Sequence, residues 1–295
     1  MKFSKSVKEI IFLNIIFFYV ALIFFNSKGT HNYDAWVFYI NQANTYGIID
    51  GYSLTFGNTY PPFSALILKL FYNFLNIFDI KIFSIIKTAV TFFFYFSVIS
   101  IYLYSKNILL SIFFIFSFLV SSMVMIDLDI ICAFFLILSM IALKKKNIYI
   151  FSFFYCIAIL IKWQPIVIFP FLAIYISEFN FFKINQIKNS NLNGILNLRN
   201  VIQATSIVFV FILICSLTYG FLPLAKSFYV ALKHTYISGN ALNFNWLITW
   251  IIQVSDGSFT DRITYRKINS ESPFYVYLGS MIFFTTYFFL VFSFA

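Results

Sequence analysis

The sequence contains very little charge. Only 10% of its 295 residues are Asp, Glu, Lys or Arg, whereas 61% are hydrophobic and 44 are Phe. Soluble globular domains average about 25% charged residues, so this chain has too few to cover a surface that faces water. Apolar runs recur from Ile10 to Ala295, which excludes a single membrane anchor. We therefore expect an all-α integral membrane protein that crosses the bilayer several times.

Other chemical signals are also scarce. Cys132, Cys156 and Cys215 each lie inside an apolar run, which indicates small core residues rather than a disulfide framework or a metal site. The sequence has no glycine-rich phosphate loop and no internal repeat. The net charge of +10 comes from basic residues scattered between the runs, which is typical of membrane topology and not of nucleic-acid binding. We expect no metal, no cofactor and no nucleic-acid partner.

Eight apolar segments are candidates for transmembrane helices. They are 10–26, 83–104, 108–126, 130–143, 148–161, 166–178, 201–221 and 274–294. A span needs about 20 residues, so the short segments 130–143, 148–161 and 166–178 are expected to extend into their neighbours. A further segment, 61–78, begins with two prolines and carries Lys69, so it either crosses the membrane or lies along its surface.

Lysine positions decide the expected topology. Lys2, Lys5 and Lys8 place the N-terminus in the cytoplasm, and the triplet Lys144–Lys146 should lie there too. Both groups reach one side only if segment 61–78 does not cross, so we expect it to be a juxtamembrane helix on the outer side. The whole chain, 1–295, then forms one polytopic domain of the plasma (inner) membrane.

This topology has three large loops. Residues 27–82 and 222–273 form outer loops, and 179–200 form a cytoplasmic loop. The last apolar run stops at Ala295 without a polar tail. Either the last helix ends the protein or the chain is shortened at its C-terminus, and the abrupt end favours the second. Most of the ten acidic residues fall on the outer side, so we expect any active site on the outer face.

The first outer loop carries an aspartate near the start of a predicted amphipathic helix. At helical spacing, Trp36, Ile40 and Ala43 share one face, whereas Asp34 and Phe38 lie on the other. Asp34 either caps this helix or acts as a general base at the membrane surface.

Two further places on the outer side carry polar groups. Tyr60, Pro61 and Pro62 are typical of a helix start, and Lys69 lies about two turns further on. Asp127 and Asp129 lie where two spans meet, a costly position for a carboxylate, so they form either a polar turn or a functional site.

The fourth place is Lys162-Trp163-Gln164-Pro165, where the proline interrupts an apolar run. Lys162 is either an interface anchor or a cation that binds a lipid phosphate. The second outer loop adds His234, Asn243 and Arg262, which form either a solvated face or a phosphate site.

Taken in order, these motifs resemble the GT-C fold glycosyltransferases. The shared pattern is an outer helix with an early Asp, Tyr60-Pro61-Pro62-Phe63, an Asp between two spans, Lys162-x-Gln164-Pro165, and Asn243 within a run rich in Asn and Trp. The chain is most similar, over about residues 10–255, to polyprenyl-phosphate-mannose-dependent mannosyltransferases. Such proteins often have Gly-Gln before the second Asp, where this chain has Met125-Ile126.

The resemblance implies a mechanism. A hexose, mannose-like, would leave a polyprenyl-phosphate donor and pass, with inversion, to a lipid, glycan or protein acceptor. It implies that Asp34 is the base, that Asp129 is the second acidic position with Asp127 as its competitor, and that no metal is needed. The candidates for the lipid phosphate are Lys162, His234, Lys69 and Arg262.

Two other functions remain open at this stage. An outer-leaflet glycan polymerase or ligase would depend on Arg262, Arg266 and His234 instead of Asp34. A lipid-linked sugar transporter or flippase would place ionisable groups near the membrane midplane, and Lys87, about one turn inside its span, is the one candidate.

Overall fold

The computed structural model describes residues 5–29, 32–55, 60–177 and 198–232, together with Met281 and Thr285. Within these ranges the chain is helical and contains no strand. The α-helices are α1 Lys5–Phe24, α2 Asn32–Tyr46, α3 Ile48–Thr55, α4 Pro62–Asn76, α5 Ile82–Ser105, α6 Ile108–Leu119, α7 Asp129–Lys144, α8 Ile148–Ile161, α9 Phe169–Ser177, α10 Leu198–Tyr219 and α11 Phe221–Leu232. A π-helical turn, Val120–Val124, continues α6, and a 3-10 turn, Gln164–Ile168, precedes α9.

Three of these helices are long and apolar enough to cross a membrane. They lie at Lys5–Phe24, Ile82–Ser105 and Arg199–Tyr219. Their outward faces are rich in large apolar side chains, and Leu22 and Leu217 are 75% and 79% exposed. Water would oppose such a surface and lipid would favour it, so the helices indicate a membrane protein.

The remaining apolar helices are shorter than the predicted spans. Helix α8 has 14 residues, because the Asn147 side chain accepts a hydrogen bond from the Ile150 amide at one end and Lys162 is extended at the other. Asn107 caps α6 in the same way through the Leu110 amide. The expected extension of 148–161 into its neighbours was therefore wrong. The eight spans stay a prediction, and 274–294 falls almost wholly outside the described residues.

The centre of the bundle is the antiparallel pair α7 and α8. Helix α5 packs on α7, and α10 packs on α8. Phe93 of α5 lies between Phe134 and Phe135 of α7, with ring centroids 5.5 and 5.8 Å away. The cysteines Cys132, Cys156 and Cys215 are buried and free, as expected for core residues.

Lys5 and Lys8 lie at the same end of the bundle as Lys144–Lys146, and Lys2 lies outside the described residues. Near the start of α1, Glu9 accepts a 2.8 Å hydrogen bond from Tyr102, which is close to the end of α5. The neighbouring Tyr104 ring has its centroid 5.1 Å from Nζ of Lys144, at the end of α7. We call this the lysine end, defined by Lys144–Lys146. Which side of the membrane it faces stays a prediction.

The opposite end is the aspartate end, defined by Asp127, Asp129 and Lys162. Helix α7 begins at Asp129, and α8 ends immediately before Lys162. Helices α2 and α3 pack against each other and against α4, and α2 reaches this end through Trp36. Helix α4, which covers most of segment 61–78, is not among the three helices long enough to span.

Candidate functional site at the aspartate end

The backbone between α6 and α7 is irregular. After the π-helical turn, Ile126 adopts a positive φ of 60°. A β-branched residue in this conformation is strained and occurs only where the surroundings fix it. Single π-turns inside α-helices are also frequent at functional sites. Asp127 follows Ile126 directly, so the unusual backbone fixes where this carboxylate leaves the chain.

Side chains from three other segments hold the carbonyl groups of this loop. Ser27 donates to the Val124 carbonyl at 3.0 Å, and Trp36 Nε1 donates to the Ile126 carbonyl at 2.8 Å. Lys87 donates to the Met123 carbonyl. Carbonyls left over at a helix end need partners when they are buried, and these donors supply them.

Lys87 also joins this loop to the first helix. Its side chain is fully buried, and Nζ donates to the Phe24 carbonyl at 3.1 Å as well as to Met123. Phe24 is the last residue of α1, and Met123 lies in the last turn of the α6 extension. A cation at two helix C-termini is favoured by both helix dipoles. Among the described residues, two backbone carbonyls account for this buried lysine, and the transport function that Lys87 suggested stays a prediction.

Gly29 provides the space that the loop needs. Its φ is +70°, and a Cβ atom built there would lie 2.7 Å from the Met125 carbonyl oxygen. The backbone of the 27–29 segment thus touches the loop where Ser27 binds it. Only glycine combines this conformation with so close an approach.

The charged core of the site is an ion pair between α7 and α8. Lys162 Nζ contacts Asp129 Oδ1, and the two side chains are 19% and 36% exposed. Nζ also lies 5.8 Å from the centroid of the Tyr60 ring, within range of a cation–π contact. Asp129 is the first residue of α7, where the helix dipole favours its negative charge. Lys162 is therefore a cation that Asp129 holds in place and that remains partly open to solvent.

Electrostatics distinguish the members of this cluster. Burial, reinforced by the charge of Asp129, raises the pKa of Asp127 to about 6, although Lys162 opposes the shift. Burial disfavours the charged form of Lys162, but Asp129, Tyr60 and Asp127 outweigh it and hold its pKa above the ordinary value. Burial raises the pKa of Tyr60 to about 12. Near neutral pH, Lys162 is a permanent cation and Asp127 is the group that changes charge.

Local sequence explains why Lys162 lies here. Its backbone is extended, with φ −151° and ψ 136°, because α8 ends one residue earlier and the 3-10 turn begins at Gln164. Tyr155 donates a 2.5 Å hydrogen bond to the Pro165 carbonyl, which fixes this break. Trp163 Nε1 donates to Ser227 of α11 at 3.1 Å, so the tryptophan and the lysine point to different partners.

The Tyr60-Pro61-Pro62 motif starts a helix, as expected, and also forms one wall of the site. Pro62 is the first residue of α4, and Pro61 precedes it in an extended conformation. Both prolines are buried. The Tyr60 ring packs edge-on against the Trp36 ring, with centroids 4.8 Å apart. The backbone carbonyl of Tyr60 accepts a 3.2 Å hydrogen bond from the Tyr52 hydroxyl. Contacts with α2 and α3 therefore hold the ring beside Lys162.

Asp34 lies outside this cluster. The two faces predicted for α2 are confirmed, since Trp36, Ile40 and Ala43 are buried and Phe38 is 45% exposed. Asp34 is exposed in the first turn of α2, on the face away from Trp36. No hydrogen bond or ion pair in the described part of the chain joins it to the Asp129–Lys162 pair. Its predicted role as base stays a prediction.

The other predicted residues divide into two groups. Lys69 donates to Asn44 of α2, about two turns of α4 beyond Tyr60, so it ties α4 to α2 rather than joining Lys162. Gln164 is exposed beside the site. His234, Asn243, Arg262 and Arg266 lie outside the described residues. Within the described ranges, no group of three or more His, Cys, Asp or Glu side chains is close enough to hold a metal ion.

Sequence reasoning missed the groups that brace the loop. Ser27 and Gly29 have no distinctive sequence context, and the role of Trp36 as a donor depends on a residue 90 positions away. Lys87 did give a signal, because a lysine inside an apolar span needs a partner. Its partners are two backbone carbonyls, and a sequence cannot show which carbonyls a side chain will bind.

Comparisons with models of known families, with curated proteins and with solved structures give no match for this chain. The site must therefore be interpreted from its chemistry. It combines a fixed, partly open cation with a carboxyl group that titrates near neutrality and an aromatic wall, all at one end of an apolar helix bundle. The group here that can contact an anion at the membrane boundary is Lys162, whose charge Asp129 already partly offsets.

Proposed function

We propose that this protein is a membrane glycosyltransferase that moves a hexose from a polyprenyl-phosphate donor to an acceptor hydroxyl, with inversion. The observation that carries the proposal is the Asp129–Lys162 pair against the Tyr60 ring at the end of an apolar bundle. A polyprenyl-phosphate donor fits this position, because its apolar tail lies in the lipid and its phosphate lies at the membrane boundary, where Lys162 is. The motif order that resembles the GT-C glycosyltransferases supports the same class.

In the proposed reaction, the acceptor oxygen attacks the anomeric carbon of the sugar. The bond between that carbon and the phosphate oxygen breaks, and the electron pair stays on the phosphate. Lys162 stabilises this developing charge, while Asp129 and Tyr60 keep the ammonium in place. The proton of the acceptor hydroxyl goes to a carboxylate, which we assign to Asp34 by resemblance. Asp127 is the rival base, because it lies in the cluster and titrates near neutral pH.

The direct test measures transfer from a radiolabelled polyprenyl-phosphate hexose in membranes that contain the protein. Wild-type membranes should form labelled product. Asp34→Asn should lower the rate by at least about a hundredfold, since a general base contributes about 10²–10⁴. Asp50→Asn is the matched control, because Asp50 is also exposed in the first turn of a short helix. It should keep the wild-type rate.

The variants also decide between the two bases. Full activity in Asp34→Asn together with loss in Asp127→Asn would move the base to Asp127 and leave the reaction class intact. Absence of labelled product from correctly folded wild-type protein would contradict the reaction class. The polymerase, ligase and transport functions would then have to be tested with lipid-linked glycans.

A further inference from the structure

The lysine end contains an apolar groove that the proposed reaction does not use. It has a volume of about 970 Å³ and lies between α5, α6, α7 and α9. Its lining is mostly apolar, with Leu136, Met140 and Phe171 among its residues, and its polar groups are Ser105, Tyr104, Tyr175 and Lys144. The volume is at the upper end of the range of about 300–1,000 Å³ typical of small-molecule pockets.

The lining of the groove, which lies within the described part of the chain, carries charge of one sign. No residue in its lining is acidic, and the exposed Lys144 leads into Lys145 and Lys146. Glu9, a carboxylate of this end, is engaged with Tyr102 and lies 4.0 Å from Lys5. Asp127 and Asp129 are at the other end of α7. An anion at the mouth of the groove thus meets a cation and no opposing carboxylate among the lining residues.

The chemistry of the groove combines an apolar trough with a cationic mouth. In a bilayer, lysine and tyrosine at the ends of helices lie at the level of the headgroups, while the apolar lining lies among acyl chains. Basic pockets between transmembrane helices are characteristic sites for acidic lipids. We propose that this groove binds an anionic phospholipid, with an acyl chain between α5, α7 and α9 and its phosphate at Lys144. The proposal requires membrane insertion but does not depend on glycosyl transfer.

The test uses the full-length protein, purified in detergent and examined by native mass spectrometry. Dioleoyl phosphatidylglycerol is titrated against dioleoyl phosphatidylcholine, which has the same chains and no net charge. We expect the anionic lipid to bind at least about fivefold more tightly, the effect of one lysine near a membrane surface. Equal affinity for the two lipids would overturn the proposal.

Matched variants locate the site. Lys144→Gln should remove most of the preference for the anionic lipid, and Lys144→Arg should retain it. Lys145→Gln is the control, because Lys145 is exposed one residue further on and does not line the groove. An equal loss in Lys145→Gln would show only a diffuse surface potential and would contradict a site at Lys144.

Two further measurements separate the apolar contribution to lipid binding from the contribution of charge. Met140→Trp fills the groove and should weaken the binding of both lipids, so unchanged binding in this variant would exclude an acyl chain in the groove. Inorganic phosphate at millimolar concentration should not displace the lipid, since it gains nothing from the apolar lining. Displacement by phosphate alone would identify a free-phosphate site instead. Size-exclusion elution and helical circular dichroism confirm that each variant is folded.

Discussion

The two ends of the α7–α8 hairpin use lysine in opposite ways. At the aspartate end, Lys162 is 19% exposed and bound to Asp129, and the nearby Lys87 is wholly buried against backbone carbonyls. At the lysine end, Lys144, Lys145 and Lys146 are all exposed. A fixed cation costs desolvation and side-chain entropy, whereas an exposed one costs little. Fixed charge is what a binding or catalytic site needs, and exposed charge is sufficient for topology and for lipid headgroups.

The largest expected difference between the two ends is in stability. Lys87→Ala leaves the carbonyls of Phe24 and Met123 without a donor, and each buried unsatisfied group costs about 1–3 kcal/mol. We expect a loss of about 3 kcal/mol in the free energy of unfolding, measured by thermal unfolding in detergent. Lys106→Ala, at the exposed end of α5, should change it by less than about 0.5 kcal/mol. Similar losses of unfolding free energy in the two variants would show that the buried lysine contributes no more to stability than the exposed one.

Glycine substitutions test how rigidly the α6–α7 loop is held. Gly29 and Gly47 both have positive φ, but only Gly29 lies against another segment; a Cβ at Gly47 would meet nothing within 4 Å. Gly47→Ala should therefore cost only conformational strain, about 1 kcal/mol, and Gly29→Ala about 2 kcal/mol or more. Thermal unfolding of the pair measures the difference. Equal losses would mean that the loop adjusts to the added methyl group.

The role of Lys162 can be separated from that of Lys69. Lys162→Ala should raise the apparent KM for the polyprenyl-phosphate donor about tenfold, because one charge-assisted contact to the phosphate is lost. The KM for the acceptor should stay unchanged. Lys69→Ala removes a lysine that binds Asn44 and should leave both constants within about twofold of wild type. A donor KM that responds equally to both variants would contradict the assignment of the phosphate to Lys162.

The smallest expected effect is a pH dependence. The pKa of Asp127 is raised from 3.8 to about 6, so its contribution to stability is fully present below about pH 4 and is lost as pH rises through 6. Between pH 5 and 7 the cluster gains one negative charge. Donor affinity should then fall about fivefold, as expected for about 1 kcal/mol of repulsion between partly screened charges.

Asp127→Asn provides the check on this effect. It should give a donor affinity that does not vary between pH 5 and 7, at the level that wild type reaches at pH 5. If the donor affinity of this variant still changed near pH 6, the titrating group would be a residue other than Asp127.

Sequence reasoning performed best where the information is local. The buried and exposed faces of α2, the helix start at Pro62 and the break between α8 and the turn at Gln164 follow from period and proline chemistry, and all three are present. The pairing of Lys162 with Asp129 could not be derived in this way, since 33 residues separate them and several basic residues were equally available. Contacts to backbone carbonyls, such as those of Lys87 and Trp36, are less predictable still, because every residue carries a carbonyl.

The position of Lys87 has a consequence for how the chain is made. Its two acceptors belong to α1 and to the end of α6, so one precedes it in synthesis and the other follows it by 36 residues. Until Met123 has been synthesised and has packed against α5, the ammonium group of Lys87 lacks the second of these partners, and a buried cation with an unmet hydrogen bond is costly. The native contacts of Lys87 are therefore complete only when α1, α5 and the end of α6 have packed together.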